Sequence, residues 1–262
     1  MIIFNNTDVF LFFINFIFPL CRILALISVI PIFENNFVSY RIKFILSVLI
    51  TILLMPLLPQ LQIMSLSFID LLILIEQILI GMVLGMIVQF ILSIGHIAGD
   101  IIGFQIGLSF STIFDTGSRI NASIISRLFY ILIILLLISW DTHIWIILIL
   151  VNTFYTIPIE KVILNYGVFL DIVNFYAIVF LNGMMLSLPI IIIILTLNII
   201  MGLLNRILSQ LSIFSIGLPI TLLTGIFILN LLIFVISPYI KDISQFLMFS
   251  FIDFLKNFSR VL

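Results

Sequence analysis

His96 and Asp100 stand four residues apart, so a helix would carry an imidazole and a carboxylate on one face. Such a pair could relay protons, as buried ionisable groups do in transporters. It could instead be a polar pair at a helix end or a subunit contact, and a single pair lacks the further carboxylates that a proton path needs. Arg22 and Glu76 each lie in or near an apolar run. An arginine at mid-bilayer costs about 3 kcal/mol on insertion scales, so each must face a partner or a water-filled space. The two could pair with each other, and satisfied packing accounts for them better than catalysis does. Arg206 is a third buried polar candidate. Beyond these the search for chemistry is negative. There is no HExxH, GxSxG or Walker loop. His96 and His143 have no ligand cluster around them in sequence, and the lone Cys21 excludes both an internal disulfide and a multi-cysteine metal site. Cys21 reads as a small packed hydrophobe. No enzyme, cofactor or metal is expected.

The most regular spacing belongs to glycine, at Gly95, Gly99, Gly103 and Gly107, with an earlier pair at Gly81 and Gly85. On a helix this strips one ridge of side chains and lets a neighbouring backbone come close. Each glycine weakens a helix by roughly 1 kcal/mol relative to alanine in water. Dense packing against other helices, or a bend, would justify the ladder, which points to an assembly. Directly after it, Phe110, Ile113 and Phe114 stand beside a turn-forming Asp115-Thr116-Gly117-Ser118. Bulky apolar groups in a loop are costly in water, which favours a pore or a protein interface over an ordinary helix end. In a pore they could form a seal, because a hydrophobic constriction excludes water and ions.

The elements that carry these residues follow from composition. The chain has 262 residues, 64% of them hydrophobic and 8% charged, with a mean hydropathy of +1.49. A soluble domain is typically about a quarter charged. The apolar runs are long and do not alternate, so they are helices, and the fold class is an all-α polytopic membrane protein. A soluble enzyme is excluded. At roughly 20 apolar residues per span there is room for about eight spans at most. A net charge of −1 with no basic tract gives no support to nucleic-acid binding. The segment from Met1 to Phe10 lacks a basic n-region, and the run after it is too long for a signal peptide, so the first segment is expected to stay in the mature protein.

Six apolar runs are visible, near 9–33, 44–58, 71–94, 128–150, 172–200 and 213–236, the fourth interrupted by Trp140-Asp141-Thr142-His143. A single membrane domain over 1–262 is expected, with the glycine-rich segment and its loop at 95–126. Positive-inside counting with six full spans contradicts itself. Arg41, Lys43, Arg119, Arg127 and Arg206 fall on one side, while Lys241, Lys256 and Arg260 fall on the other. Some runs are therefore not simple spans, and Asn182-Gly183 with Pro189 suggests a bent, re-entrant hairpin in the fifth. The tail at 241–262 sets polar Asp242, Gln245, Asp253 and Lys256 against apolar Ile243, Phe246, Leu247 and Phe254. It is expected to be an amphipathic helix for a membrane surface or a partner.

Four stretches together resemble the FliR family of type III export-gate proteins. The first is Ala98-Gly99-Asp100-Ile101-Ile102-Gly103-Phe104-Gln105-Ile106-Gly107-Leu108-Ser109-Phe110, followed by Phe114-Asp115. The second is Gly202-Leu203-Leu204-Asn205-Arg206, then Gln210 to Pro219 and Gly225. The third is Arg22 to Leu26 with Pro31-Ile32-Phe33, and the fourth is Glu76 with Gly81 and Gly85. Thr116 and Ser209 stand where the family usually or often has proline, and Asp141-Thr142-His143 replaces a Gly-His-His-like element. These departures bear on local loop shape. The resemblance implies a non-enzymatic subunit that joins FliP-like and FliQ-like subunits in a helically staggered gate with bent hairpins. FlhB-like and FlhA-like export components are the implied neighbours, in the inner membrane at the flagellar basal body. It implies a conduit for unfolded secreted substrates, driven mainly by proton-motive force, with the loop at about Gln105 to Asn121 as its plug. Injectisome service is the alternative, and a secondary transporter the rival class, although neither related halves nor a polar substrate site is visible.

Overall fold

The computed structural model describes residues 6–33, 38–58, 68–108, 123–159, 167–207 and 213–260. Every regular element among them is a helix. Helix α1 (Asn6–Val29) is followed by a 3-10 turn at Pro31–Phe33. Helix α2 (Tyr40–Leu54) tightens into a second 3-10 turn at Met55–Leu57. Then come α3 (Phe68–Ile106), α4 (Ile124–Ser139), α5 (Thr142–Thr156), α6 (Gly167–Ile207) and α7 (Ile213–Arg260). The chain is an all-α polytopic membrane protein.

Six plain spans are not what it builds. Among the described residues 4 helices are long and apolar enough to cross a membrane, Tyr40–Leu57, Asp70–Ile106, Leu170–Ile207 and Gly217–Ile252. The α4–α5 pair, bent by 70°, raises the number to 5 if it counts as one span. Helices α3, α6 and α7 contain 39, 41 and 48 residues. At 1.5 Å per residue they rise about 60 to 70 Å, twice a hydrocarbon core of roughly 30 Å. A helix that overshoots the bilayer cannot be scored as one span with a loop at each face, and run counting fails for that reason.

Two expected breaks are absent and one is where the fourth run is interrupted. Helix α6 continues through Asn182-Gly183 and over Pro189, so the bent hairpin expected there does not form. Glycine and proline break helices in water, where freed backbone groups find solvent. Within a membrane-protein helix they are tolerated, because neighbouring groups must satisfy the backbone in any case. The bend lies instead at Asp141, which takes a left-handed φ of 54° between α4 and α5. Aspartate accepts that conformation more readily than bulky residues do. The tail at 241–262 is likewise no separate element. Residues through Arg260 continue α7 beyond Pro238. Its described part buries Ile243, Leu247, Met248 and Phe251 and exposes Lys241, Asp242 and Gln245, but it also buries Ser244 and exposes Phe246.

The chain forms two compact units, each discontinuous in sequence. One comprises Met1–Gln89, Asp141–Asn174 and Leu247–Leu262, and the other Phe90–Trp140 and Phe175–Phe246. In the first, α2 packs on α1. Helix α2 is inverted relative to a soluble helix. It buries Lys43, Ser47 and Thr51 and exposes Ile42, Phe44, Ile45, Leu49, Ile52 and Leu53. Lipid is as apolar as leucine, so polar groups are the ones that gain by turning inward. The Ser47 hydroxyl donates to the Phe44 carbonyl and the Thr51 hydroxyl to the Ser47 carbonyl, both at 2.7 Å, which satisfies them without an outside partner. In the second unit Ile91, Ile94, Ala98 and Ile102 of α3 and Phe129 and Ile133 of α4 are buried at 1% exposure or less.

Candidate functional site: a buried guanidinium and a glycine seam

Arg22 lies at 0% exposure in α1, inside the first unit. Its fork reaches three acceptors. Nε donates to Gln77 Oε1 of α3 at 2.8 Å, Nη1 to Thr153 Oγ1 of α5 at 3.1 Å, and Nη2 to the Ile157 carbonyl at 3.2 Å. The guanidinium carbon stands 4.2 Å from the centroid of the Phe154 ring. Glu76, 2% exposed, is near enough for its charge to act on Arg22. The structure therefore buries both Arg22 and Glu76 in the first unit and encloses the cation completely.

The third acceptor has a local cause. Ile157 precedes Pro158, which biases it away from helical geometry, and α5 ends there. The Ile157 N–H still bonds the Thr153 carbonyl at 2.9 Å. Its own carbonyl has no helical N–H to meet. Arg22 supplies the donor from another helix, and its positive charge suits the negative end of the α5 dipole.

The first glycine pair sets the spacing of this site. A Cβ on Gly81 would collide with the Arg22 carbonyl oxygen and stand 2.8 Å from Ala25 Cβ. One on Gly85 would stand 2.7 Å from Val29 Cβ. The bare ridge of α3 thus touches α1 one turn beyond Gln77, the residue that Arg22 grips. The later glycines serve the second unit. A Cβ on Gly95 would run into Ile133 Cδ1, the tip of a flexible side chain, whereas one on Gly99 would run into the Ser126 backbone of α4. Gly103 is buried in α3. Gly107 leaves the ladder. It adopts a φ of 92° and donates its N–H to the Phe104 carbonyl at 3.2 Å, closing the helix rather than packing it.

His96 and Asp100 flank Gly99, and both serve the same seam. His96 Nδ1 lies 2.8 Å from Ser126 Oγ, which also donates to the His96 carbonyl at 3.3 Å. The imidazole stacks at a tilt on Tyr130, with centroids 4.7 Å apart. Asp100 Oδ1 accepts the Ser123 N–H at 3.4 Å, placing a carboxylate at the positive end of α4. These contacts fit the polar pair at a helix end.

Arg206 is a correction. It is exposed in the last turn of α6, as are Gly202, Leu203, Leu204, Asn205 and Ile207 beside it. A cation there suits the negative end of the helix dipole. A Cβ on Gly202 would meet nothing within 4 Å. Cys21 is a half-buried free thiol and His143 is exposed. Phe110, Ile113, Phe114, Asp115 and Gly117 lie outside the described residues, as does most of the expected plug. Among the described residues no three His, Cys, Asp or Glu side chains gather where a metal could sit. Sequence reasoning missed Gln77, Thr153, Phe154 and Ile157 as partners of Arg22. Gln77 carried a signal, a second polar residue in an apolar run. A backbone carbonyl carries none.

The model of the bacterial export proteins, family 1, matches residues 13–247. The flagellar biosynthetic protein FliR of Buchnera aphidicola subsp. Acyrthosiphon pisum is 40% identical over 249 residues, covering 95% of this chain and 96% of that protein. The FliR of Escherichia coli K12 is 42% identical over 228 residues, 87% of each chain. That of Pectobacterium carotovorum is 40% identical over 243 residues, 93% of each.

Proposed function

Because the chain belongs to family 1 of the bacterial export proteins, we propose that it is a subunit of the flagellar protein-export apparatus. The observation that carries this is similarity to flagellar relatives over 87% or more of each chain. It favours flagellar over injectisome service. The role is structural. The subunit helps to form and close a conduit for unfolded substrates in the bacterial inner membrane, beside FliP-like and FliQ-like subunits and near FlhB-like and FlhA-like components. The exposed Gly202–Arg206 end of α6 supports a partnered surface, since a membrane-protein glycine with open space around it is available for close helix contact.

The segment from Gln105 to Asn121 is the proposed plug. Gly107 supports this by ending α3 at the start of that segment. Phe110, Ile113 and Phe114 supply the bulk that would dewet a narrow passage. The test is complementation of an Escherichia coli strain lacking its own FliR. Restored secretion of flagellar substrates, with the chain recovered beside the FliP-like and FliQ-like subunits, is the expected result. A chain that purifies alone, monodisperse and protease-resistant, and restores nothing would overturn the proposal.

A further inference from the structure

Within the second unit, α6 and α7 face each other across an apolar groove of about 310 Å³, lined by Met185, Leu186, Pro189, Leu232 and Val235 among others. One polar contact stands at its edge. Tyr239 Oη donates to Asn182 Oδ1 at 3.1 Å, with the Asn182 carbonyl oxygen at 3.4 Å. Asn182 is itself held, because its Nδ2 donates to the Ile178 carbonyl at 2.8 Å. The next residue, Gly183, packs on α3, where a Cβ would come within 2.8 Å of Ile97 Cγ2. The α6 side of the contact is therefore anchored.

Beyond that anchor both helices are weak. Pro189 offers no N–H to the Met185 carbonyl, and Pro238 none to the Phe234 carbonyl. Prolines are where long helices bend. Pro189 lines the groove, and Pro238 adjoins Tyr239, which also lines it. A weak point in each helix thus borders free volume, beside the Tyr239 hydroxyl that ties the two helices together.

We propose that the Tyr239–Asn182 hydrogen bond is a latch on a proline hinge, holding α7 to α6 until its release lets α7 move across the groove. A neutral hydrogen bond biases such an equilibrium several-fold without locking it, which suits an element that opens and recloses. The use of this hinge in opening a conduit rests on the function proposed above; the latch itself does not.

Amide hydrogen exchange on the assembled complex tests the latch. Tyr239→Phe removes only the hydroxyl and should speed exchange at residues 235–243 by about fivefold to tenfold, leaving α4 unchanged. Asn182→Ala should do the same, and the double variant should exchange no faster than either single one. Leu186→Phe narrows the groove and should slow exchange there. Parental exchange in Tyr239→Phe overturns the proposal. So does a double variant whose effects multiply, which would mean two independent contacts, or failure of both single variants to assemble, which would mean a folding contact. Substrate secretion measured in parallel separates the two claims. Faster exchange with unaltered secretion keeps the latch and removes its role in the conduit.

Discussion

At the scale of single residues the decisive object is Arg22. Breaking a buried charged network by removing one partner costs about 3 to 5 kcal/mol, because the groups left behind are buried without their complement. Arg22→Leu should therefore lower stability by about 3 kcal/mol or more, read as a shift in the unfolding midpoint in mixed micelles. Arg22→Lys should recover part of this, since an ammonium cannot span Gln77, Thr153 and Ile157 with one planar fork. Equal loss in both variants would show that charge contributes nothing. The glycines make a second, finer prediction. Gly99→Ala drives a methyl into the Ser126 backbone, which cannot step aside, and should cost about 1 to 3 kcal/mol. Gly95→Ala meets only the end of Ile133, and its gain in helix propensity, roughly 1 kcal/mol, offsets the repacking. Recovery of folded protein should fall for the first and hold for the second. The need for Arg22 and Glu76 to be satisfied was legible from their types and surroundings. The distinction between Gly95 and Gly99 was not, because both sit at the same spacing and only the residue opposite differs.

At the scale of elements, what was legible is where helices are and what was not is where they stop. The ladder from Gly95 to Gly103 weakens a helix by water-based propensity and called for dense packing or a bend, and α3 continues through it to Ile106. The reason is packing: Gly81 and Gly85 open contacts that α3 gains from α1, and Gly95 and Gly99 contacts that it gains from α4. Asn182-Gly183 and Pro189 misled, since α6 continues through them. The corner at Asp141 was visible only as a polar interruption, and its left-handed φ has no mark in composition. That corner carries a prediction. Asp141→Gly should be neutral or slightly stabilising, whereas Asp141→Val places a β-branched residue at φ 54° and should cost about 1 to 3 kcal/mol. Limited proteolysis between α4 and α5 reports the difference. Equal cleavage in both would show that the corner bears no strain.

At the scale of the whole molecule, much of the apolar surface is turned outward. Ile207 and Phe234 are each 77% exposed, and α6 is open from Leu203 to Ile207. Lipid can cover such residues, but Gly202 and the end of α6 also belong to a stretch that carries the family resemblance, and we propose partners for that surface. The chain produced without FliP-like and FliQ-like subunits should therefore be recovered at several-fold lower yield and be cut faster by protease than in their company. Equal yield and resistance would mean that lipid covers the surface well enough. The Arg22 site, finally, has a history in time. Its acceptors lie 55, 131 and 135 positions further along the chain. At about 5 to 20 residues per second of synthesis, Arg22 is made about 7 to 26 seconds before Thr153. During that interval neither Thr153 nor Ile157 can receive the guanidinium. Gln77 is the first acceptor to follow, and the guanidinium gains its full set of three only once α5 and Ile157 have been made.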